Sequence, residues 1–278
     1  MTIAKEPIIA KDAIVELLRS QFKSLDYLGS SLTIAEWHAS ASLPGWSVFD
    51  VYAHIIGAES MLEGDRLPDV PVDVGALSHV HNDIGKLNET WVESLVDLGP
   101  AAMLDRFRQV TASRLRSLAA MTQREFDADV ATPVGPAPYG RFMQIRLFDC
   151  WMHEQDIREG LGRPGHESGP CARAAVEEAI LAMGYIIGKK ASAPAGTSVT
   201  VELTGPVRRK IHVLVEERAR IVDELPGPAT TIVTLSSSLF MRLAGGRAQN
   251  LSTRLGGIAF HGDLDLARRV VTNLTFTI

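Results

Sequence analysis

Cysteine is scarce. The 278 residues hold two, Cys150 and Cys171, too few for a disulfide framework or a Cys-based zinc knuckle, and the expectation is a reduced, cytoplasmic protein. Basic charge is not in excess: Lys+Arg 28 against Asp+Glu 33 leaves a formal net charge of −5. A phosphate backbone would be repelled on average, so no nucleic-acid partner is expected. Long apolar runs are missing as well. AILAMGYIIG at 179–188 falls short of the ~20 residues that span a bilayer, and MTIAKEPIIAKDAIVELL lacks the continuous apolar core of a signal peptide. What is there is 46% hydrophobic and 22% charged residues with Gly 23 and Pro 14, the balance of a globular chain long enough for two domains.

The first two-thirds reads as helix. Between Asp12 and Leu28, Ile14, Leu17, Leu18, Phe22, Leu25 and Leu28 recur at three- and four-residue spacing and form one buried stripe. After a break at Ala41–Gly45, Ser47 is placed to cap a helix with Asp50 three residues on, and Val48, Val51, Ile55 and Met61/Leu62 supply its apolar face. Further helices are predicted at roughly 78–97, 100–121, 141–161 and 171–190, with Ala131–Gly140 a Pro/Gly-rich loop. A run of helices with short links implies an antiparallel bundle over 1–191. After the linker ASAPAG at 191–196 the pattern changes. Strands are predicted at Ser198–Leu203, Lys210–Val215, Thr230–Leu235 and about 257–261, and short helices at about 237–244 and 263–274. The fold class is α+β, with a small α+β domain over 197–278.

The segment RLFDCWMHEQDIREGLGRPG (146–165) carries the chemistry. Asp149 and His153 stand four residues apart and project from one helix face, where Phe142, Ile145 and Met152 turn them inward. A buried carboxylate and imidazole need compensation, and a cation is one source of it. Glu154, Asp156 and Arg158 can hydrogen-bond such ligands or pair on the surface. A third ligand must come from elsewhere: His54, mid-helix in VYAHIIGAE and flanked by apolar residues, is the candidate. Unaided, each of these has a plainer reading, the first as a solvated i,i+4 pair and the second as a satisfied core histidine. His38, His79, His81, His166, His212 and His261 read as surface or core residues. Two histidines and one carboxylate leave coordination positions open, as catalytic sites do. The donors suit Zn²⁺ best, and Fe²⁺, Ni²⁺ and Mn²⁺ accept them too.

WSVFDVYAHIIGAE (46–59) and FDCWMHEQDIREGLGRPG (148–165) resemble the mycothiol-dependent maleylpyruvate isomerase family. The similarity extends to the order of parts, a DinB-like helical bundle followed by a small domain resembling sterol-carrier proteins, here FMRLAGGRAQ (240–249) and FHGDLDLARRVV (260–271). The resemblance implies that His54, Asp149 and His153 bind the metal. It also implies that Arg247, in a Gly-Arg segment like the family's, contacts substrate or thiol. The family pattern has Glu-x-x-x-His where this chain has Asp149, an arm shorter by one methylene.

The expected function is a metal-dependent thiol S-transferase or cis–trans isomerase, with a divalent metal, Zn²⁺ first, and mycothiol as thiol cosubstrate. Coordination would turn the thiol into a thiolate that attacks an electrophilic small molecule. Addition, rotation and thiol expulsion would give isomerisation; displacement alone would give transfer. Neither Cys150 nor Cys171 is needed as nucleophile. Partners are then small molecules, with no membrane, and the protein a monomer or homodimer. Two other readings use the same residues. In one, a metal-activated water makes a hydrolase with Glu154 or Glu59 as base. In the other, the C-terminal domain binds apolar ligands without catalysis, in a deep apolar cavity within 198–278 and with no open metal coordination; its stripe residues Val199, Val201, Val213, Val215, Ile232 and Leu235 read equally as ordinary core. The Walker spacing and Gly-x-Ser-x-Gly are both absent.

Overall fold

The computed structural model describes residues 10–133, 135–247 and 255–277. The start of the N-terminal segment and the last two residues of the 240–249 motif lie outside them. Two compact units divide at His166/Glu167. The helix that follows Ser168, which sequence places with the bundle, therefore belongs with the sheet. Among the described residues no helix is long and apolar enough to cross a membrane.

The first unit is helical: α1 (Lys11–Ser30), α2 (Ile34–Trp37), α3 (Val48–Leu62), α4 (Asp83–Glu93), α5 (Pro100–Ala120), α6 (Gln123–Phe126) and α7 (Tyr139–Gly160). Helix α1 packs on α5 and α7, and α3 packs on α4, α5 and α7, so α1, α5, α3 and α7 close into a ring of four. The α1 stripe is buried from Ile14 to Leu28, with Leu17 at its margin. Helix α3 starts where its capping box dictates. The Ser47 hydroxyl accepts from the Asp50 amide, while the Asp50 carboxylate accepts from the Ser47 amide at 2.8 Å. Burial of α3 is not confined to one face, since Phe49, Tyr52, Ala53 and Ile56 are as inaccessible as Val51 and Ile55, while Met61 is exposed. It is the central helix of the unit.

Two expectations give way here. The segment 131–140 is not a loop throughout: β1 (Asp129–Thr132) and β2 (Gly135–Pro138) pair as an antiparallel hairpin. Gly135 at φ +100 makes the turn possible, and a two-stranded ribbon has outward-facing positions where a proline forfeits no ladder bond. The helix expected over 78–97 is shorter, opening where the Asn82 side chain accepts from the Gly85 amide at 2.7 Å.

Ionic bonds run through the bundle core. The Glu59 carboxylate on α3 accepts from Arg114 Nε on α5 (3.1 Å) and from Arg146 on α7 (3.0 and 2.8 Å). Arg114 also donates to Glu63 (2.9 Å) and to the Tyr139 hydroxyl (2.6 Å). Glu63 accepts further from Ser113 and Ser117. Three of the four ring helices are thus tied by two buried guanidiniums and their carboxylates.

The second unit opens with α8 (Gly169–Leu181) and α9 (Met183–Tyr185), which runs into a π-helical turn over Ile186–Lys190, so the helix expected over 171–190 is broken. Its strands are β3 (Ser198–Thr204), β4 (Arg209–Val215), β5 (Ala219–Val222), β6 (Thr231–Ser236) and β7 (Ala259–Gly262), with α10 (Ser237–Ala244) and α11 (Leu264–Thr272). The sheet order is β5-β4-β3-β6-β7, antiparallel except for the parallel β3–β6 pair. Strand β5 was not foreseen. It is a four-residue edge strand whose middle residues are exposed, too short and wet to leave an apolar alternation. Val199, Val201, Val213, Val215, Val233 and Leu235 are all buried, whereas Ile232 lies on the opposite, half-buried face. A one-residue offset moves a side chain across the sheet.

Two outcomes follow. A Cβ built on Gly57 of α3 would stand 2.4 Å from Trp91 Cβ, an atom that no rotamer change can move away. Gly57→Ala is expected to cost about 1–3 kcal/mol in urea unfolding; an unchanged midpoint would contradict this packing. Burial alone would raise the pKa of Glu63, but the bonds from Ser113, Arg114 and Ser117 outweigh it and hold the pKa below its ordinary value. The stability it contributes is therefore complete above the unfolded pKa of about 4.3 and drains away as pH falls through the lower folded value. In Glu63→Gln, stability measured against pH should fall less steeply below about 4.3; an acid limb of wild-type slope would argue otherwise.

Candidate metal centre

Helix α7 carries Arg146, Asp149, His153 and Asp156 at three- and four-residue steps, so they lie along one side of it. Helix α3 brings His54 from the opposite wall. One nitrogen of each imidazole and one oxygen of the Asp149 carboxylate all lie within 4.8 Å of one another. His54 Nε2 is 3.3 Å from Asp149 Oδ2, and His153 Nε2 is 3.4 Å from Asp149 Oδ1. Both histidines are buried and Asp149 is half-buried. The two rings stand edge to face, centroids 4.7 Å apart.

The surroundings set the charge on each group. Burial pushes the His54 pKa down, and the nearby Asp149 charge does not fully offset it, so the ring favours its neutral form. His153 feels the same burial, but Asp149 and Asp156 together outweigh it and raise its pKa. Burial would raise the Asp149 pKa; His153, Arg146 and His54 hold it well below the usual carboxylate range. Asp149 is thus an anion faced by three nitrogens, the nearest being Arg146 Nη1, which donates to Oδ2 at 2.6 Å.

Asp156 fixes the imidazole behind it. Its Oδ2 is 3.1 Å from His153 Nδ1, which commits that nitrogen and leaves Nε2 to face Asp149 and His54. The same residue holds the loop before α3: its Oδ1 accepts from the Ser42 hydroxyl and its backbone carbonyl from the Ser42 amide, both at 3.1 Å. Across that loop the Ala41 amide donates to the Trp46 carbonyl. The Trp46 ring lies 5.2 Å from the His54 ring and 6.0 Å from the His153 ring. Its Nε1 donates to Glu89 Oε2 at 2.8 Å, an oxygen also 3.1 Å from His79 Nε2.

Glu154 and Arg158 lie apart from this cluster. Glu154 turns toward α1, where Gln21 (2.7 Å), Ser24 (2.8 Å), Arg158 (2.8 Å) and His166 (2.7 Å) satisfy it. Arg158 is part of that knot. Of the three helpers suggested by sequence, Asp156 alone bonds to His153 or Asp149 in the bonds described. Arg247 belongs to the second unit, and its guanidinium donates to the Gly245 carbonyl. Cys150 is fully buried, and burial drives its thiol pKa well above the ordinary value. It is no nucleophile at neutral pH. Sequence reasoning missed Arg146, Trp46 and Glu89. The signal for Arg146 was its i,i+3 spacing from Asp149, whereas Glu89 lies 43 residues from its tryptophan and left no local trace.

The donor set fits a divalent ion. Bonds of about 2.0–2.2 Å in a tetrahedral site place neighbouring donors roughly 3.3–3.5 Å apart; the His54 nitrogen stands 3.3 Å from Oδ2 and the His153 nitrogen 3.4 Å from Oδ1 of Asp149.

Residues 18–158 match the family model described as the mycothiol maleylpyruvate isomerase N-terminal domain. Among solved structures, that of the mycothiol-dependent maleylpyruvate isomerase aligns with a TM-score of 0.56 at 16% identity, covering 90% of this chain and 92% of that chain. A histidine-to-alanine variant of the same isomerase gives 0.57 with the same identity and coverage. A ubiquinone synthesis protein, UbiJ-SCP2, covers 38% of this chain and 96% of its own at a TM-score of 0.29 and 16% identity. No curated protein matches the sequence. At such identity the two isomerase structures establish a shared fold, bundle and sheet unit together. The family match takes in more than half of the sequence, and the chain belongs to the mycothiol maleylpyruvate isomerase N-terminal domain family.

Proposed function

We propose that the protein is a metal-dependent enzyme acting with a low-molecular-weight thiol of the mycothiol type, as an S-transferase or a cis–trans isomerase of a small electrophile. His54, Asp149 and His153 hold the divalent ion, Zn²⁺ by the chemistry of the donors. The observation that carries this reading is the convergence of those three donors within 4.8 Å, in a chain of this family. A dication there supplies the charge that keeps a thiol, with an ordinary pKa of about 8.5, as thiolate at neutral pH.

The protein's own groups prepare the place. His54 is kept unprotonated by burial and so offers a lone pair. Asp156 fixes the tautomer and direction of His153. Arg146 takes up part of the Asp149 charge through Oδ2. Holding thiol and acceptor side by side replaces a collision in solution with an oriented encounter. Arg247 stays a proposed contact to substrate or thiol, on the family resemblance alone.

The hydrolytic reading loses ground because its two bases are already engaged. Glu59 is clamped between Arg114 and Arg146. The bonds and charges of His166, Arg158 and Ser24 outweigh burial and keep the Glu154 pKa low, and Glu154 lies on the α1 side. The apolar-binder reading fares no better. Of the six stripe residues, Val199, Val201, Val213, Val215 and Leu235 are buried core and Ile232 lies on the opposite face of the sheet. The groove described in the second unit, about 600 Å³, is walled by Tyr185, Lys189, Glu216, Glu217 and Arg218 among small residues.

Elemental analysis of purified protein should find about one divalent metal per chain, and His54→Ala and His153→Ala should each lose most of it. An unchanged load in both variants would falsify the ligand set. Against a panel of electrophiles, turnover should require added thiol and disappear with a chelator. Loss to chelator with no dependence on thiol would return the weight to hydrolysis.

A further inference from the structure

Nothing in the thiol reading accounts for the residues that cover the cluster. Trp46 flanks both imidazoles at once, its plane tilted 37° to each. The indole therefore packs on the rings of both proposed nitrogen ligands. Its one polar atom, Nε1–H, is consumed by Glu89, so the side chain has only its aromatic surface to offer. Glu89 is 4% exposed, and burying a carboxylate to anchor a tryptophan costs more than an apolar neighbour would. The position is also fixed from two other directions. Asp156 grips the loop through Ser42, and Gly45, at φ +84, has the His79 ring 2.5 Å from where a Cβ would stand. A left-handed glycine against a histidine that itself holds Glu89 leaves the loop one seating.

We propose that Trp46 is a specificity-determining wall of the metal site that favours a sulfur ligand over an oxygen ligand, with Glu89 and His79 as the residues that position it. This rests on the thiol reading above. A polarisable sulfur gains a favourable contact at ~5 Å from an aromatic ring, larger than that of a hard oxygen, and neither ligand finds a hydrogen-bond donor on the indole, whose N–H is taken by Glu89. At the upper end of that contact's strength, its loss weakens binding about tenfold.

The test uses the full-length protein loaded with Co²⁺. N-acetylcysteine is titrated through the sulfur-to-cobalt charge-transfer band and acetohydroxamate through the visible d–d bands. Trp46→Leu and Glu89→Ala are expected to bind the thiol three- to tenfold more weakly, with cobalt affinity and acetohydroxamate binding unchanged. Trp46→Phe and Glu89→Gln, which keep an aromatic face and an acceptor for the indole N–H, should stay within about twofold of wild type. These two also serve if the harsher variants do not fold, since Trp46→Phe should keep the wild-type ratio of thiol to hydroxamate affinity. Thiol affinity unchanged in a folded Trp46→Leu, an altered ratio in Trp46→Phe, or parallel weakening of both ligands overturns the assignment. Wild-type protein that binds no cobalt, or binds it without a charge-transfer band on thiol addition, overturns the thiol reading itself.

Discussion

A single guanidinium is the hinge of this structure. Arg146 lies between Glu59, inside the bundle, and Asp149, at the candidate centre, and it bonds to both. An arginine this deep is tolerable only because two carboxylates share its charge. Each carboxylate is in turn tolerable because of the arginine. Glu59 leads on to Arg114, and through it to Glu63 and Tyr139. The electrostatics that hold α3, α5 and α7 together are continuous with those that set the charge at the centre. Removing one partner would strand the others, and breaking a buried pair of this kind costs about 3–5 kcal/mol. Fold and site share one set of bonds.

How far the sequence exposes this depends on distance along the chain. The α1 stripe, the Ser47/Asp50 box and the Asp149/His153 pair are local patterns, and periodicity and capping chemistry read them directly. The bounds of α10 and the order of a bundle followed by an α+β part were equally visible. His54 was recognisable only as a polar residue in an apolar helix; its meeting with Asp149 across 95 residues needed the family likeness or the coordinates. Arg146 looks in sequence like half of a solvated ion pair, because spacing says nothing of burial. Glu89 and Trp46 share no motif at all. The proline-rich hairpin was hidden for the opposite reason: its composition speaks against strands, and only pairing with a partner makes the strand.

Two acidic residues five apart on α7 show how environment assigns roles. Glu154 is the more deeply buried, yet Gln21, Ser24, Arg158 and His166 exhaust it, and it joins α7 to α1 and to the turn at His166. Asp149 turns Oδ2 toward the His54 nitrogen and Oδ1 toward that of His153. The shorter side chain, where the family pattern has glutamate, lies closer to its own helix, within reach of the Arg146 one turn earlier.

Asp156 serves two masters, and that has a mechanical consequence. Through one carboxylate oxygen it orients the His153 ring; through the other, and through its own carbonyl, it pins the segment that bears the indole. A shift of that loop at Ser42 would disturb the residue that sets the imidazole. The seating of the indole-bearing loop and the orientation of the histidine are geared to one another by a single side chain.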